Sequence, residues 1–381
     1  MFHRLPRAAT GMALVLVLAG CNSTAATPTA TASTAPVATP SATTAPSESA
    51  SASASASASA SASASAAAFS GSIVMIPKQI NNPYFDVAFK GAQKAATALG
   101  GTLTQVGPSA ADATQQIPFI QTATTQGAKA IVVSADDANA IAPALKAAMT
   151  AGIKVVGYDS SPAVGAYNVF VNQADTAGIG KGLADMACDE APSCTGEIAV
   201  LSAAQTATNQ NAWIAAMQTT LKDAKYSKLV WDGVVYGNDD PTISTTVAQG
   251  LLSAHPNLKV IVAPTTVGIV AAAQVVKAKG LTSKVFVTGL GTPKGMVDFV
   301  KGGQSPEFAL WNVTDLGYLA YAVAVDLASG VIKGNAGETF TVPTINGGAP
   351  YTIGTDGVVV LGPPFVFNSA NIDQYVASFG F

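Results

Sequence analysis

The sequence predicts an α/β protein with two doubly wound parallel sheets, one in each of two lobes. Between residues 72 and 289, short apolar strands alternate with longer amphipathic helices. The strands at 130–134, 154–158 and 260–263 are almost continuously apolar and β-branched, which is typical of strands covered on both faces. Repeated strand–helix–strand units indicate right-handed crossovers. Residues 69–381 are too many for one ordinary core and suit two lobes of typical size.

The individual elements follow from the apolar pattern. The predicted strands are 72–76, 102–106, 130–134, 154–158, 197–201, 229–236, 260–263 and 285–289. The predicted helices are 83–99, 138–151, 175–187, 209–224, 242–254 and 267–279, and Gly100 and Gly101 end the first of them. Later strands near 308–311 and 358–361 are expected to complete the sheets.

Residues 1–20 have the pattern of a secretory signal peptide. Two arginines precede an apolar stretch that is shorter than the ~20 residues of a membrane-spanning helix. Cys21 follows Leu-Ala-Gly, which resembles a bacterial lipobox. We expect Cys21 to become the acylated N-terminus of a mature protein that is held to a membrane outside the cytoplasm. An ordinary signal peptide with a chance cysteine is the alternative.

Residues 21–68 comprise the cysteine expected to be lipidated and a following segment that is almost entirely Ser, Ala, Thr and Pro. Such a segment buries nothing and cannot offset the entropy of ordering, so we expect a disordered tether. A coil of this length spans roughly 35–40 Å and would hold the folded domain, residues 69–381, away from the lipid. The Ser/Thr content would also suit O-linked sugars.

Composition excludes several classes of function. A net charge of −3 with 11% charged residues gives no basic patch for nucleic acid. The chain has two histidines, His3 in the signal segment and His255 in a predicted helix-ending turn, so no Ser-His-Asp arrangement or metal-ligand cluster is expected. Cys188 and Cys194 flank a Pro-containing loop, and we expect a disulfide rather than a metal site. The sequence thus predicts neither an enzyme nor a cofactor.

Candidate binding residues follow the carboxyl ends of the predicted strands, where open parallel sheets bind their ligands. They are amides, carboxylates, small hydroxyls, aromatics and one lysine. Such a mixture suits a neutral polyol, because carboxylates and amides bind neighbouring hydroxyls and aromatic faces cover the C–H side of a sugar ring. The candidates are Lys78, Asn82, Tyr84, Phe85, Asp137, Asp159, Asn209, Gln210, Trp213, Pro264, Thr265, Thr266, Leu290 and Trp311.

Simpler explanations apply to some of these residues. Asp137 or Asn209 would also serve as a cap of the helix that follows. Tyr84 and Phe85 would also suit the core side of the first helix. The glycines at 289, 291 and 295 lack the Gly-x-Gly-x-x-Gly spacing, which excludes a dinucleotide site.

Several segments together resemble those of a known family, the type I periplasmic sugar-binding proteins that feed bacterial ABC importers. Within that family the sequence is similar to the rhamnose-binding proteins and their relatives, the autoinducer-2-binding proteins. The similarity runs through essentially all of residues 72–381. The segments that carry it are 76–78 with 82–86, 157–160, 208–213, 263–268, 289–293 and 308–312.

The resemblance implies two lobes joined by a three-stranded hinge, with a ligand held between them and an ABC permease as partner. The lobes would comprise about 70–172 with 309–342 and about 173–308 with 343–381, in a protein expected to be a monomer. Carried over position by position, the residues that contact ligand in the autoinducer-2 branch match Lys78, Asp159, Asn209, Gln210 and Pro264.

Two departures favour the rhamnose branch. The autoinducer-2 branch has Asp where this chain has Asn209 and alanine where Thr266 stands, so a different pattern of hydroxyls is expected. Leu290 and Gly291 replace the Phe-Asp of ribose- and galactose-type binders, which puts ribose, glucose and galactose in doubt. We therefore expect a lipid-anchored binding protein for rhamnose or another 6-deoxyhexose, whose methyl group would meet an aromatic such as Phe85, Trp213 or Trp311. Uptake or sensing of autoinducer-2 is the alternative.

Overall fold

The computed structural model describes residues 68–379. The predicted signal peptide, Cys21 and the tether lie outside these residues.

Within residues 68–379 the secondary structure alternates strands and helices, as expected. The strands are β1 (Phe69–Ile76), β2 (Gly100–Gln105), β3 (Ala130–Val133), β4 (Lys154–Tyr158), β5 (Val169–Asn172), β6 (Gly196–Ser202), β7 (Leu229–Tyr236), β8 (Leu258–Ala263), β9 (Phe286–Gly289), β10 (Glu307–Leu310), β11 (Thr339–Thr341), β12 (Pro350–Thr352), β13 (Val358–Val360) and β14 (Phe365–Asn368). The helices are α1 (Pro83–Leu99), α2 (Ala113–Thr125), α3 (Ala142–Thr150), α4 (Thr176–Glu190), α5 (Thr208–Thr220), α6 (Pro241–Ala254), α7 (Thr266–Ala278), α8 (Pro293–Lys301), α9 (Val313–Ser329) and α10 (Ile372–Phe379).

The first lobe is built on a six-stranded sheet in the order β13-β5-β4-β3-β1-β2, in which all pairs are parallel. Its central strands β3 and β4 are largely apolar because both of their faces are covered. In β3, Ala130 and Val132 belong to the core cluster that includes α1 and α9, whereas Ile131 and Val133 belong to the opposite cluster with residues of α2 and α3. Sequence pattern therefore identified these strands correctly as central ones.

The second lobe is built on a parallel four-stranded sheet in the order β7-β6-β8-β9. Next to it, β10 and β14 pair antiparallel, and a bridge between Leu290 and Ala309 joins β10 to the end of β9. The chain crosses between the lobes after β5, after β10 and after β13. This arrangement confirms the predicted doubly wound fold with three connecting segments.

One predicted boundary disagrees with the strand pairing. The sequence assigned residues 343–381 to the second lobe, but β13 pairs in parallel with β5 of the first lobe. The crossing to the second lobe comes only at 361–364, before β14. Because β11, β12 and β13 have three residues each, their apolar pattern is too short to show which sheet they join.

Helices α1 and α9 pack closely on the first lobe through two glycines. A Cβ atom on Gly91 would lie 1.9 Å from the carbonyl oxygen of Thr314, and one on Gly317 would lie 1.8 Å from that of Ala88. Only glycine allows this approach, which fixes the start of α1 next to the segment that follows β10. The start of α1 carries Tyr84 and Phe85, so this packing positions part of the site described below.

Cys188 and Cys194 form a disulfide, which joins the last turn of α4 to the segment before β6. This is the pairing that the sequence predicts. His255 follows the last residue of α6, also as predicted. Among the helices of residues 68–379, none combines the length and apolar character that crossing a bilayer would require.

Candidate functional site

A cavity lies between the two lobes, at the carboxyl ends of the strands of both sheets. Its empty space is about 380 Å³, including the part open to solvent at its mouth. All the binding residues predicted from the sequence line this cavity except Asp137, and Asp239 and Leu310 join them. The lining residues are Lys78, Asn82, Tyr84, Phe85, Asp159, Asn209, Gln210, Trp213, Asp239, Pro264, Thr265, Thr266, Leu290, Leu310 and Trp311.

Asp159 is the centre of the polar side of the cavity. It directly follows β4 and is 4% exposed, with a backbone φ of 59° in the left-handed region, which is uncommon for non-glycine residues. The Tyr84 hydroxyl donates to Oδ1 over 3.1 Å, and the Ser134 hydroxyl donates to Oδ2 over 2.7 Å. These two hydrogen bonds fix the orientation of the carboxylate before any ligand arrives.

Asn209 connects the lobes. It lies in the first turn of α5 in the second lobe, and its Oδ1 accepts a hydrogen bond of 3.2 Å from Lys78 Nζ in the first lobe. Its Nδ2 donates to Asp159 Oδ1 over 3.3 Å. Lys78 Nζ is also 3.8 Å from Asp159 Oδ2, an ion pair between two nearly fully buried side chains. Burial of a charged lysine without such partners would cost free energy of folding. The contacts with Asp159 and Asn209 therefore account for the burial of Lys78 in the cavity.

Gln210 is the next residue of α5 and is fixed by the end of β6. Its Oε1 accepts hydrogen bonds from the Ser202 hydroxyl, over 2.7 Å, and from the Ala203 N–H, over 2.8 Å. With the oxygen occupied in this way, the NH₂ group is the part of the amide available to a ligand.

Aromatic side chains form the other side of the cavity. The Trp311 indole N–H donates to the Tyr84 hydroxyl over 3.0 Å, and the Trp213 and Trp311 rings lie 5.7 Å apart. Phe85 meets Tyr84 edge to face at 5.1 Å. We call Tyr84, Phe85, Trp213 and Trp311 the aromatic wall. Tyr84 and Phe85 are buried, so they serve as core residues of α1 and as lining residues at once.

Burial keeps the Tyr84 hydroxyl protonated. Desolvation raises its pKa well above the ordinary tyrosine value, and the neighbouring Asp159 charge raises it further. The hydroxyl thus accepts from Trp311 and donates to Asp159, which links the aromatic wall to the polar centre.

Asp239 is a cavity residue that the sequence analysis missed. It follows β7, and the Thr265 hydroxyl donates to its Oδ1 while accepting from the Gly268 N–H at the start of α7. Burial raises the pKa of Asp239, and the Thr265 hydrogen bond and the Lys78 charge oppose this. The rule that ligands bind at the carboxyl ends of parallel strands predicted the other cavity residues. Applied to β7, the same rule would have predicted Asp239.

Asp137 does not line the cavity, so its predicted place there is wrong. Its Oδ1 accepts hydrogen bonds of 2.8 and 2.9 Å from the N–H groups of Asn139 and Ala140, in the turn before α3. The simpler explanation, a side chain that caps local backbone, therefore accounts for this residue. Its neighbour Asp136 is buried instead, and desolvation raises its pKa to about 8 although the Lys78 charge lowers it.

A protein-family model described as "periplasmic binding protein domain" matches residues 73–331. The chain belongs to this family, whose members work outside the cytoplasm. It is a sugar-binding protein of an ABC transporter and not an enzyme, which confirms the class that the sequence predicted.

Solved structures give the same fold. A solute-binding protein of an ABC transporter from Clostridium phytofermentas, with bound L-rhamnose, is 41% identical; the match covers 82% of this chain and 99% of that one, with a TM-score of 0.79. LsrB from Clostridium saccharobutylicum, in complex with AI-2, is 26% identical over 80% of this chain and 99% of that one, with a TM-score of 0.74. The two branches expected from the sequence are thus both represented among its structural relatives.

Curated relatives are more distant. The ribose import binding protein RbsB of Salmonella typhimurium is 26% identical over 69% of this chain and 85% of its own length. The D-ribose/D-allose-binding protein of Pseudomonas aeruginosa is 25% identical, and the match spans 51% of this chain and 61% of that protein.

Proposed function

We propose that this protein is a lipid-anchored solute-binding protein that delivers L-rhamnose or another 6-deoxyhexose to an ABC importer. The observation that carries the proposal is the cluster of Asp159, Lys78 and Asn209, which lines one cavity together with the aromatic wall. The 41% identity to a rhamnose-bound protein supports the choice of sugar.

The cluster suits an uncharged ligand. The charge of Lys78 is balanced by Asp159 at 3.8 Å, and Asn209 adds a neutral donor and acceptor. A carboxylate binds neighbouring hydroxyls as an acceptor, while Lys78 and the Gln210 NH₂ group supply donors. The aromatic wall offers an apolar surface to the C–H face of the ring and to the 6-methyl group.

Hinge closure is the mechanism of capture. Lys78 and Asp159 of the first lobe contact Asn209 of the second, and Gln79 Nε2 donates to the carbonyl oxygen of Asp239 over 3.3 Å. A sugar that binds groups of both lobes stabilises the closed arrangement because it makes fewer contacts when the lobes separate. The ABC permease then accepts the sugar from the closed form.

Recognition of autoinducer-2 is the second candidate, supported by the relative in complex with AI-2. At the position of Asn209 that branch carries a carboxylate. Here the side-chain amide donates to Asp159, which a carboxylate cannot do. This difference favours the deoxyhexose.

Anchoring belongs to the same proposal. Lipidation of Cys21 and the tether of residues 21–68 would keep a monomeric binding domain close to its permease. Expression of Cys21→Ala tests this part: the protein should leave the membrane fraction, and continued membrane association would contradict it.

Titration calorimetry tests the proposed ligand. L-rhamnose should bind one site per chain, with higher affinity than autoinducer-2. Asp159→Asn should weaken the binding at least about tenfold, because the amide replaces two acceptor oxygens by one acceptor and one donor. Asn is preferable to Ala here, since Asn keeps a polar side chain of the same size beside the buried Lys78. Unchanged affinity in a folded Asp159→Asn protein would remove Asp159 from the site.

A further inference from the structure

We propose that Glu197, Asp232 and His255 form a zinc site in the second lobe, separate from the sugar cavity. One ligand atom of each residue lies within 4.8 Å of the others. Glu197 is at the start of β6, Asp232 is in the edge strand β7, and His255 is in the turn between α6 and β8. These three positions are far apart in sequence and form no short spacing motif. For this reason the sequence did not predict a metal-ligand cluster.

The spacing of Asp232 and His255 fits two ligands of one ion. Asp232 Oδ2 and His255 Nδ1 are 3.3 Å apart. Two atoms at about 2.0–2.1 Å from a tetrahedral Zn²⁺ ion are separated by about 3.3 Å. Asp232 Oδ2 is shielded from solvent and has no hydrogen-bond donor among the described residues, although His255 is close enough to provide one. This distance suits an ion pair as well as two ligands of one cation, and Glu197 beside the pair adds the second carboxylate that favours the cation.

The donor set indicates the kind of metal. An imidazole nitrogen with two carboxylates suits Zn²⁺ better than Ca²⁺ or Mg²⁺, which take oxygen ligands and more of them. Three protein ligands leave a fourth position for water. The side chains of Asp232 and His255 are 14% and 31% exposed, so an ion has access from solvent.

The ion would stabilise the fold rather than the sugar complex. It would connect β6, β7 and the turn before β8, and thereby hold the edge strand β7 against the sheet. Glu197 and His255 lie at the amino ends of β6 and β8, whereas the cavity lies at the carboxyl ends. Zinc binding should therefore raise the thermal stability and leave the affinity for L-rhamnose unchanged.

The test uses the full chain, purified without a polyhistidine tag and freed of metal with a chelator. Calorimetric titration with Zn²⁺ alone should give one site per chain. His255→Gln should weaken that binding at least about tenfold, since a ligand is lost. Asp298→Asn, an exposed carboxylate of the same lobe, is the matched control and should bind as the wild type does.

A second variant and a second readout make the result decisive. Glu197→Gln should also weaken zinc binding, and Co²⁺ should give the visible absorption of a tetrahedral site in wild type and not in either variant. A far-ultraviolet circular dichroism spectrum equal to that of wild type verifies that the variants are folded. Equal zinc affinity in wild type, His255→Gln and Glu197→Gln, or no binding in wild type, would overturn the proposal.

Discussion

Asn209 of the second lobe donates its side-chain amide to Asp159 of the first, with 3.3 Å between Nδ2 and Oδ1. The same amide accepts from Lys78 through its oxygen. A single neutral residue thus complements both members of a buried ion pair, as a donor to the anion and an acceptor from the cation. This arrangement joins the two lobes at the point where the sugar is proposed to bind.

Asn209→Asp should weaken L-rhamnose binding by about tenfold or more. The new carboxylate keeps the interaction with Lys78 but faces Asp159, and like charges at this distance repel. Titration calorimetry measures the change. Asn211→Asp is the control, because Asn211 is exposed on the same helix and donates to the Gln205 carbonyl oxygen away from the cavity. A fall in affinity that is equal in both variants would contradict the role of Asn209.

Trp311→Phe should reduce the change in tryptophan fluorescence that accompanies sugar binding. The chain has three tryptophans, of which Trp213 and Trp311 line the cavity and Trp231 lies in β7 outside it. Trp311→Phe also removes the hydrogen bond to Tyr84, so the affinity should fall by about 1 kcal/mol. Trp231→Phe is the control and should keep both the signal and the affinity. If Trp231→Phe alone removes the signal, the ligand binds elsewhere.

Removal of the disulfide should lower stability without a change in sugar binding. Cys188 and Cys194 are six residues apart in sequence. Closing so short a loop lowers the entropy of the unfolded chain and thereby stabilises the folded protein by about 2 kcal/mol. Urea unfolding of Cys188→Ala/Cys194→Ala measures the loss, and wild type with a reductant provides the comparison. A large fall in L-rhamnose affinity would show that the end of α4 influences the cavity.

Asp136→Asn should stabilise the protein increasingly as the pH rises from 5 to 8. The Asp136 pKa is raised from 3.8 to about 8, mainly by desolvation, so the folded protein holds a proton that the unfolded chain releases. Wild type therefore loses stability over this window, and the variant avoids that loss. The advantage of the variant in urea unfolding should grow by at least about 1.4 kcal/mol, the equivalent of one pKa unit.

Two features make this pH test specific. Glu190 has a pKa raised to about 8 by burial and Asp326 one raised to about 6, but both are present in wild type and variant and cancel in the difference. Asp137→Asn is the control, since its oxygen still accepts from the turn before α3. An advantage of Asp136→Asn that does not change with pH would mean that Asp136 is ionised in the folded protein.

The fold was predictable where strands are continuously apolar and helices are amphipathic. β3, β4 and β8 have this character because helices cover both faces of their sheets. Helix α9 was not predicted: it is buried on nearly all sides, and an apolar segment without a polar face lacks the helical period. Helix α2 was not predicted for the opposite reason, since its sequence is rich in Gln and Thr and contains Pro118.

The site was predictable because one rule, the carboxyl ends of parallel strands, places residues from distant segments together. Lys78, Asp159 and Asn209 illustrate this rule, since they are far apart in sequence and in contact in the cavity. The rule does not give the direction of a side chain. Asp137 follows a central strand but turns toward its own backbone.

Small-angle X-ray scattering with and without L-rhamnose tests most directly the central claim, that an uncharged sugar closes the two lobes. Titration of the folded domain should give a saturable decrease in the radius of gyration, with a midpoint that matches the calorimetric affinity and moves to higher sugar concentration in Asn209→Asp. A scattering curve that stays the same at saturating L-rhamnose would contradict capture of this sugar by hinge closure.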